Sequence, residues 1–198
     1  MDNLNNLLDE DSLKLNVNFA AMFVLNYECL KEYVISQVRV FYSNNIHFEG
    51  DKIIGEESQD YKDDVRTLDA NIENASLKWF VREEAITQDD YDTYQTIRKR
   101  RNDIIHELLK NLNDGFTESD VKLFAALLEI YGKIDKWWIN EIEIPISGEY
   151  ISDDYDRESV CGGQAMILSI INNIILGNEG AKYKKILLDL TKIWNDEN

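Results

Sequence analysis

Proline occurs once in this chain of 198 residues, at position 145, and apolar side chains recur three and four positions apart along most of its length. With a single ring-locked φ angle and a single missing backbone donor, nothing stops helices from propagating, and the spacing gathers apolar residues into one stripe per helix. The expectation is an all-α fold, an up-and-down bundle of about six helices forming one domain over residues 1–198, with short connections and no internal repeat. The first helix is read over about 16–42, with Phe19, Met22, Phe23, Leu30, Tyr33, Val34, Val38 and Phe41 inward. Residues 43–62 form an irregular acidic excursion in which Ile46-His47-Phe48 and Ile53-Ile54 can pair as a short hairpin across Gly50. A second helix over 63–85 carries Val65, Leu68, Ile72, Leu77, Trp79 and Phe80. Thr87 with Asp90 makes a capping-box start for a helix reaching 112, with Gly115 as its stop. Thr117 with Asp120 repeats the signal for a helix to about 143, and Pro145 lies just beyond. The last pair is read over 156–176, ended by Gly177, and 180–194.

Charge narrows the function classes. The 38 acidic residues outnumber 21 basic ones, giving a net charge of −17 and an isoelectric point near 4.4. A protein so acidic does not coat nucleic acid or an anionic membrane, so any nucleic-acid role must rest on a local basic patch. Cys29 and Cys161 share no short spacing, which indicates two small core residues and neither a disulfide framework nor a metal site. The opening Met1-Asp2-Asn3-Leu4 lacks the basic start of a secretory signal, so the expected location is cytoplasmic. The uncharged stretch 159–178 contains Gly162-Gly163-Gln164 and Asn172-Asn173, which suits a buried helix better than a membrane span. The acidic runs 51–64 and 149–158 lack helix-paired Glu and His ligands and are read as solvated loops, and His47 as a surface loop residue. No metal or cofactor is expected. Trp79-Phe80 and Trp137-Trp138 are read as core or interface packing; adjacent tryptophans point about 100° apart, which sets one of the second pair at an edge.

The basic patch is Arg98-Lys99-Arg100-Arg101, followed at once by Asn102-Asp103-Ile104-Ile105-His106. At about 100° per residue with Arg101 at 0°, the side chains of Tyr94, Ile97, Ile104, Ile105, Leu108 and Leu112 fall within about 60° of it. Arg98 lies inside that arc as well, whereas Lys99, Arg100, Asp103, Glu107 and Lys110 lie on the solvated side. An arginine aimed at its own core must meet a carboxylate, an interface or a ligand anion, because leaving it unpaired costs about 3–5 kcal/mol. Asn102 and His106, neighbours at i and i+4, line one edge of the arc. Two cations, an amide and an imidazole together suit holding a phosphate and moving a proton near neutral pH.

The hexapeptide Arg101-Asn102-Asp103-Ile104-Ile105-His106 resembles the R-N-x-x-x-H form of the R-x(4–6)-H motif of the HEPN family, named for higher eukaryotes and prokaryotes nucleotide-binding. Ile97, Ile104, Ile105 and Leu108 are similar to the apolar frame of that family's motif helix, and the likeness covers residues 87–112. The resemblance implies an all-α homodimer whose two motif helices face each other around a composite, metal-independent ribonuclease site. By that resemblance, His106 acts as general acid or base, Arg101 holds the scissile phosphate, and Asn102 orients His106 or the phosphate; Arg98 adds substrate binding. It further implies an RNA substrate, presented single-stranded or as an exposed loop, and a role as a toxin or phage-defence effector held by an antitoxin protein. Two other readings stand beside it: a non-catalytic helical dimerisation or protein-interaction module in which Arg98 and Arg101 pair with acids across a dimer, and an acidic mimic of nucleic acid. For the two arginines by themselves, the alternative is a buried salt bridge with an acid of another helix, such as one on 63–73.

Overall fold

The computed structural model describes residues 5–43, 46–50, 52–148 and 154–175. The helix read over 180–194, and the Gly177 expected to end the helix before it, lie outside the described residues. After a single turn, α1 (Asn5–Leu8), the Asp9 carboxylate accepts the Ser12 N–H at 2.9 Å and starts α2 (Glu10–Phe41), six residues ahead of the expected boundary. The 32 residues of α2 run through the centre of the molecule, burying Phe23, Leu30, Val34 and Val38 completely. Strands β1 (Ile46–Glu49) and β2 (Lys52–Gly55) pair antiparallel as the sequence suggested, with Ile46 opposite Gly55 and Gly50 at φ 63° in the turn. His47 is exposed, on β1 instead of on a loop.

Gly55 fastens this hairpin to the bundle. A Cβ there would stand 2.8 Å from the Ser43 Cβ and 3.1 Å from both the Arg39 carbonyl and the Val40 Cα. Backbone atoms of α2 cannot yield as a flexible side chain does, so Gly55→Ala is expected to lower stability by about 1–3 kcal/mol in chemical denaturation. An unchanged denaturation midpoint would show that the hairpin floats free of α2.

The helix expected over 63–85 is two pieces. Ser58 caps α3 (Gln59–Tyr61), which runs into a π-helical turn over Lys62–Arg66. The chain then breaks, because the Asp69 carboxylate takes the Asn71 N–H at 2.9 Å and the Asn71 side chain caps α4 (Ile72–Arg82) through the Asn74 N–H at 3.1 Å. Both capping boxes form as read, Thr87 with Asp90 opening α5 (Gln88–His106) and Thr117 with Asp120 opening α7 (Glu118–Trp138). Between them α6 (Leu108–Asp114) stops at Gly115, whose φ is 77°. Helical structure does not stop before Pro145: past Trp138 a π-helical turn over Ile139–Glu143 widens the ladder, and the ring sits in the first residues of one more turn, α8 (Ile144–Ser147). The last described helix, α9 (Gly163–Ile175), is shorter than the 156–176 expected. No helix among the described residues is long and apolar enough to cross a membrane.

These elements form an all-α bundle. Lys133 of α7 reaches Asp90 of α5 while Asp120 reaches Arg100, so those two helices run antiparallel. Phe124, Tyr131 and Trp138 of α7 meet Phe19, Tyr33 and Phe41 of α2 in the same order, so α7 runs parallel to α2. Asn26 and Asn172 exchange two amide hydrogen bonds, at 2.8 and 3.0 Å, which registers α9 against α2. Trp138 is buried and Trp137 half-buried, the edge position expected of one of the pair. Cys29 is half-buried and packs against the core, whereas Cys161 departs from the core reading and is exposed, because the residues before Gly163 run over the surface.

Candidate functional site

Tyr94, Ile97 and Ile104 are the fully buried residues of α5. They span about −60° to 20° around Arg101, so the centre of the buried side is turned by about 20° and Arg101 stays within it. Ile105 and Leu108, expected inward, are 41% and 44% exposed. The cause is a corner. At Glu107 the backbone leaves helical geometry, with φ −118° and ψ 37°, and the Asn111 amide donates to the carbonyls of Asp103 and Glu107 at 3.1 and 2.9 Å, holding α6 bent back on α5. A straight wheel through residue 112 does not survive that bend.

The same corner corrects the placement of Arg100. Instead of facing solvent, its Nε donates to Asp120 Oδ1 at 2.5 Å and its other nitrogen to Asn111 Oδ1 at 2.8 Å, with the guanidinium 5.6 Å from the centroid of the Phe116 ring. Burial pushes the Asp120 carboxyl up, but the Thr117 backbone N–H, Arg100 and the Thr117 hydroxyl together hold it below the usual carboxylate range. Lys99, Asp103, Glu107 and Lys110 are exposed as read.

Arg98 turns to α4, donating to Asn74 Oδ1 at 2.9 Å and lying 3.7 Å from the Glu73 carboxylate. Glu73 is buried, and its Oε1 accepts the hydroxyls of Tyr27 at 2.5 Å and Tyr94 at 2.7 Å. Burial, reinforced by the neighbouring carboxylate, raises both phenols well above their ordinary value, so they stay protonated donors at neutral pH. The two rings stack with centroids 5.5 Å apart. The acid expected on 63–73 is thus found for Arg98.

Arg101 has a different partner. One terminal nitrogen donates to Glu28 of α2, the other donates to Asn102 Oδ1 at 2.9 Å, and the guanidinium lies 5.4 Å from the Tyr27 ring centroid. The second oxygen of Glu28 accepts from Lys31 at 3.2 Å. Its Nε is buried with no partner among the described residues. The pair is open to water, since the Arg101 and Glu28 side chains are 23% and 36% exposed. A cavity of about 370 Å³ continues from Glu28 along α2 past Lys31 and Ser36 to Arg39.

His106 is the exposed last residue of α5 and makes no hydrogen bond or ion pair among the described residues. Within one chain, then, Arg101 and Asn102 come together, Arg98 is committed to Glu73, and His106 stands about 7.5 Å further along the axis and about 140° around it from Arg101. Exposed Ile105, Leu108 and Leu109 flank the histidine. Tyr27 and Glu28 are the neighbours that sequence reasoning did not assign, and Glu73 was expected only as one of several acids on 63–73. Glu28 directly follows Tyr27 on a helix otherwise rich in apolar residues, and that adjacency is the signal that could have singled it out.

No family model, curated protein or solved structure matches this chain. The HEPN resemblance therefore rests on the motif residues.

Proposed function

We propose that this chain is a metal-independent HEPN-type endoribonuclease whose site is completed by a second copy. The observation that carries the reading is Arg101: a half-buried guanidinium at a solvent-reachable notch, steadied by Glu28, Tyr27 and Asn102. Such a group suits a phosphate oxygen, because a planar fork of donors matches phosphate geometry and its charge counters the charge that develops in phosphoryl transfer. His106, exposed beside an apolar ledge of Ile105, Leu108 and Leu109, supports association of two copies through that ledge, which brings a second imidazole to the notch. In the reaction, the ribose 2′-oxygen attacks the adjacent phosphorus as the bond to the 5′-oxygen breaks. One His106 takes the 2′ proton and that of the other copy protonates the leaving oxygen, giving a cyclic phosphate and a free 5′-hydroxyl. Arg98, the substrate-binding residue of the motif reading, is paired with Glu73 and Asn74 and serves here to brace the motif helix against α4. A role as a toxin or defence effector held by an antitoxin belongs to the same reading.

The deciding experiment is RNA cleavage in excess chelator by wild type and His106→Ala, with circular dichroism to confirm that both are folded. Cleavage by wild type that His106→Ala lacks is the expected result. Equal cleavage by the two would overturn the mechanism, and no cleavage by wild type would favour the interaction module, in which Arg101–Glu28 and Arg98–Glu73 are structural pairs.

A further inference from the structure

Away from the motif helix, the ends of α2, α4 and α7 surround an open pocket of about 480 Å³. Its walls are aromatic: Phe41 and Tyr42 come from the end of α2, Trp79 from α4 and Trp137 from α7. Phe41 is exposed and Trp137 half-buried, whereas Trp79 is only 2% exposed and lies behind them as the pocket's floor. The planes of Phe41 and Trp137 cross that of Trp79 at 51° and 85°, with centroids 6.0 and 5.9 Å away. The rim is acidic. Glu83, Glu84 and Glu141 line it, and no basic residue does. The carbonyl ends of α2 and α4 add partial negative charge at the same place.

Each feature removes a class of ligand. Three carboxylates and two helix C-termini repel an anion. A hard metal ion needs converging ligands, and among the described residues no group of three His, Cys, Asp or Glu is placed to hold one. A neutral apolar molecule gains nothing from the glutamates. An organic cation satisfies both parts, its charge facing carboxylates and ring faces while its carbon surface covers the rings.

The acidic groups are also unevenly occupied. Glu83 already accepts from Arg82, which itself grips Asp64, and Glu141 accepts from Arg157. Glu84 has no partner for its carboxylate among the described residues, and it is held at φ 61° by the Glu84 N–H donating to the Val81 carbonyl at 3.1 Å and the Ala85 N–H donating to the Phe80 carbonyl at 2.9 Å. With one carboxylate unengaged, few acceptors remain for a guanidinium. An ammonium whose hydrogens are replaced by alkyl groups needs few, and spreads its charge over the rings. We infer that this pocket binds a small alkylated ammonium ion, free in solution, against Phe41 and Trp137 above the buried Trp79, with Glu84 as its counter-charge.

Titration of intrinsic tryptophan fluorescence with choline, and with its neutral isostere carrying carbon in place of the quaternary nitrogen, tests this on the full chain. Choline is expected to give a saturable change, and the isostere to bind at least about tenfold more weakly. Glu84→Asn removes the carboxylate with a residue that accepts the left-handed backbone, so thermal unfolding serves as the control for folding. Combined with Glu141→Gln it is expected to weaken choline binding at least about fivefold at unchanged unfolding temperature. Equal affinities for choline and the isostere, no saturation by choline, or full affinity in the double variant would each overturn the assignment.

Discussion

Glu73→Ala is expected to cost the folded state about 3–5 kcal/mol, read as a lowered midpoint in chemical denaturation. The loss has three parts on the structure. The Tyr27 and Tyr94 hydroxyls, both donating to one buried oxygen, lose their common acceptor, and each buried hydroxyl left unpaired costs about 1–3 kcal/mol. Arg98 loses its carboxylate and keeps only Asn74, though its partial exposure lets water recover some of that deficit. The third part is the volume left between α2, α4 and α5. Glu73→Gln keeps the volume and one acceptor oxygen but turns an amide toward the hydroxyls and cancels the charge facing Arg98, so a loss of about 1–2 kcal/mol is expected there. Stability of Glu73→Ala within about 1 kcal/mol of wild type would mean that the two tyrosines find other acceptors and that this cluster does not tie the three helices together.

How the cluster and the motif read from sequence differs for a physical reason. The starts of α5 and α7 were legible because a capping box is local: Thr87 with Asp90 and Thr117 with Asp120 satisfy backbone donors within three residues, and no distant group can cancel that. The hairpin across Gly50 was legible on the same ground. The break at 67–71 was not, since Asp69 and Asn71 sit where a continuous amphipathic helix tolerates them, and only the hydrogen bonds they make show the interruption. The corner at Glu107 depends on Asn111, four residues into what reads as one helix, and on the docking of Arg100 against Asp120 from a later helix. That tertiary pairing explains why Arg100 was assigned to solvent and Ile105 and Leu108 to the core. For Arg101, the wheel was enough to say that it needs a partner; which acid supplies it is a long-range fact, and Glu28 is 73 residues away.

That long-range pairing sets the second large effect expected under the proposed ribonuclease reading. In the cleavage assay, Arg101→Ala is expected to lower kcat/KM by about 10²–10³, the loss typical of removing a charged donor from a developing oxyanion. Arg101→Lys should recover little of it, because a lysine ammonium cannot reproduce the fork that bonds Glu28 and Asn102 at once. Glu28→Gln should act in the opposite direction on affinity. In the resting chain the Glu28 carboxylate occupies the Arg101 nitrogen that a phosphate oxygen would take, and on a protein carrying −17 it also adds to the repulsion of RNA. Removing that charge is expected to tighten RNA binding about fivefold at low salt, with the difference shrinking as salt screens it. Because the ion pair is open to water, the same change should move stability by less than about 1 kcal/mol. Arg101→Ala with full activity would remove the arginine from the site. Glu28→Gln with unaltered affinity would show that RNA approaches Arg101 from a side the carboxylate does not cover.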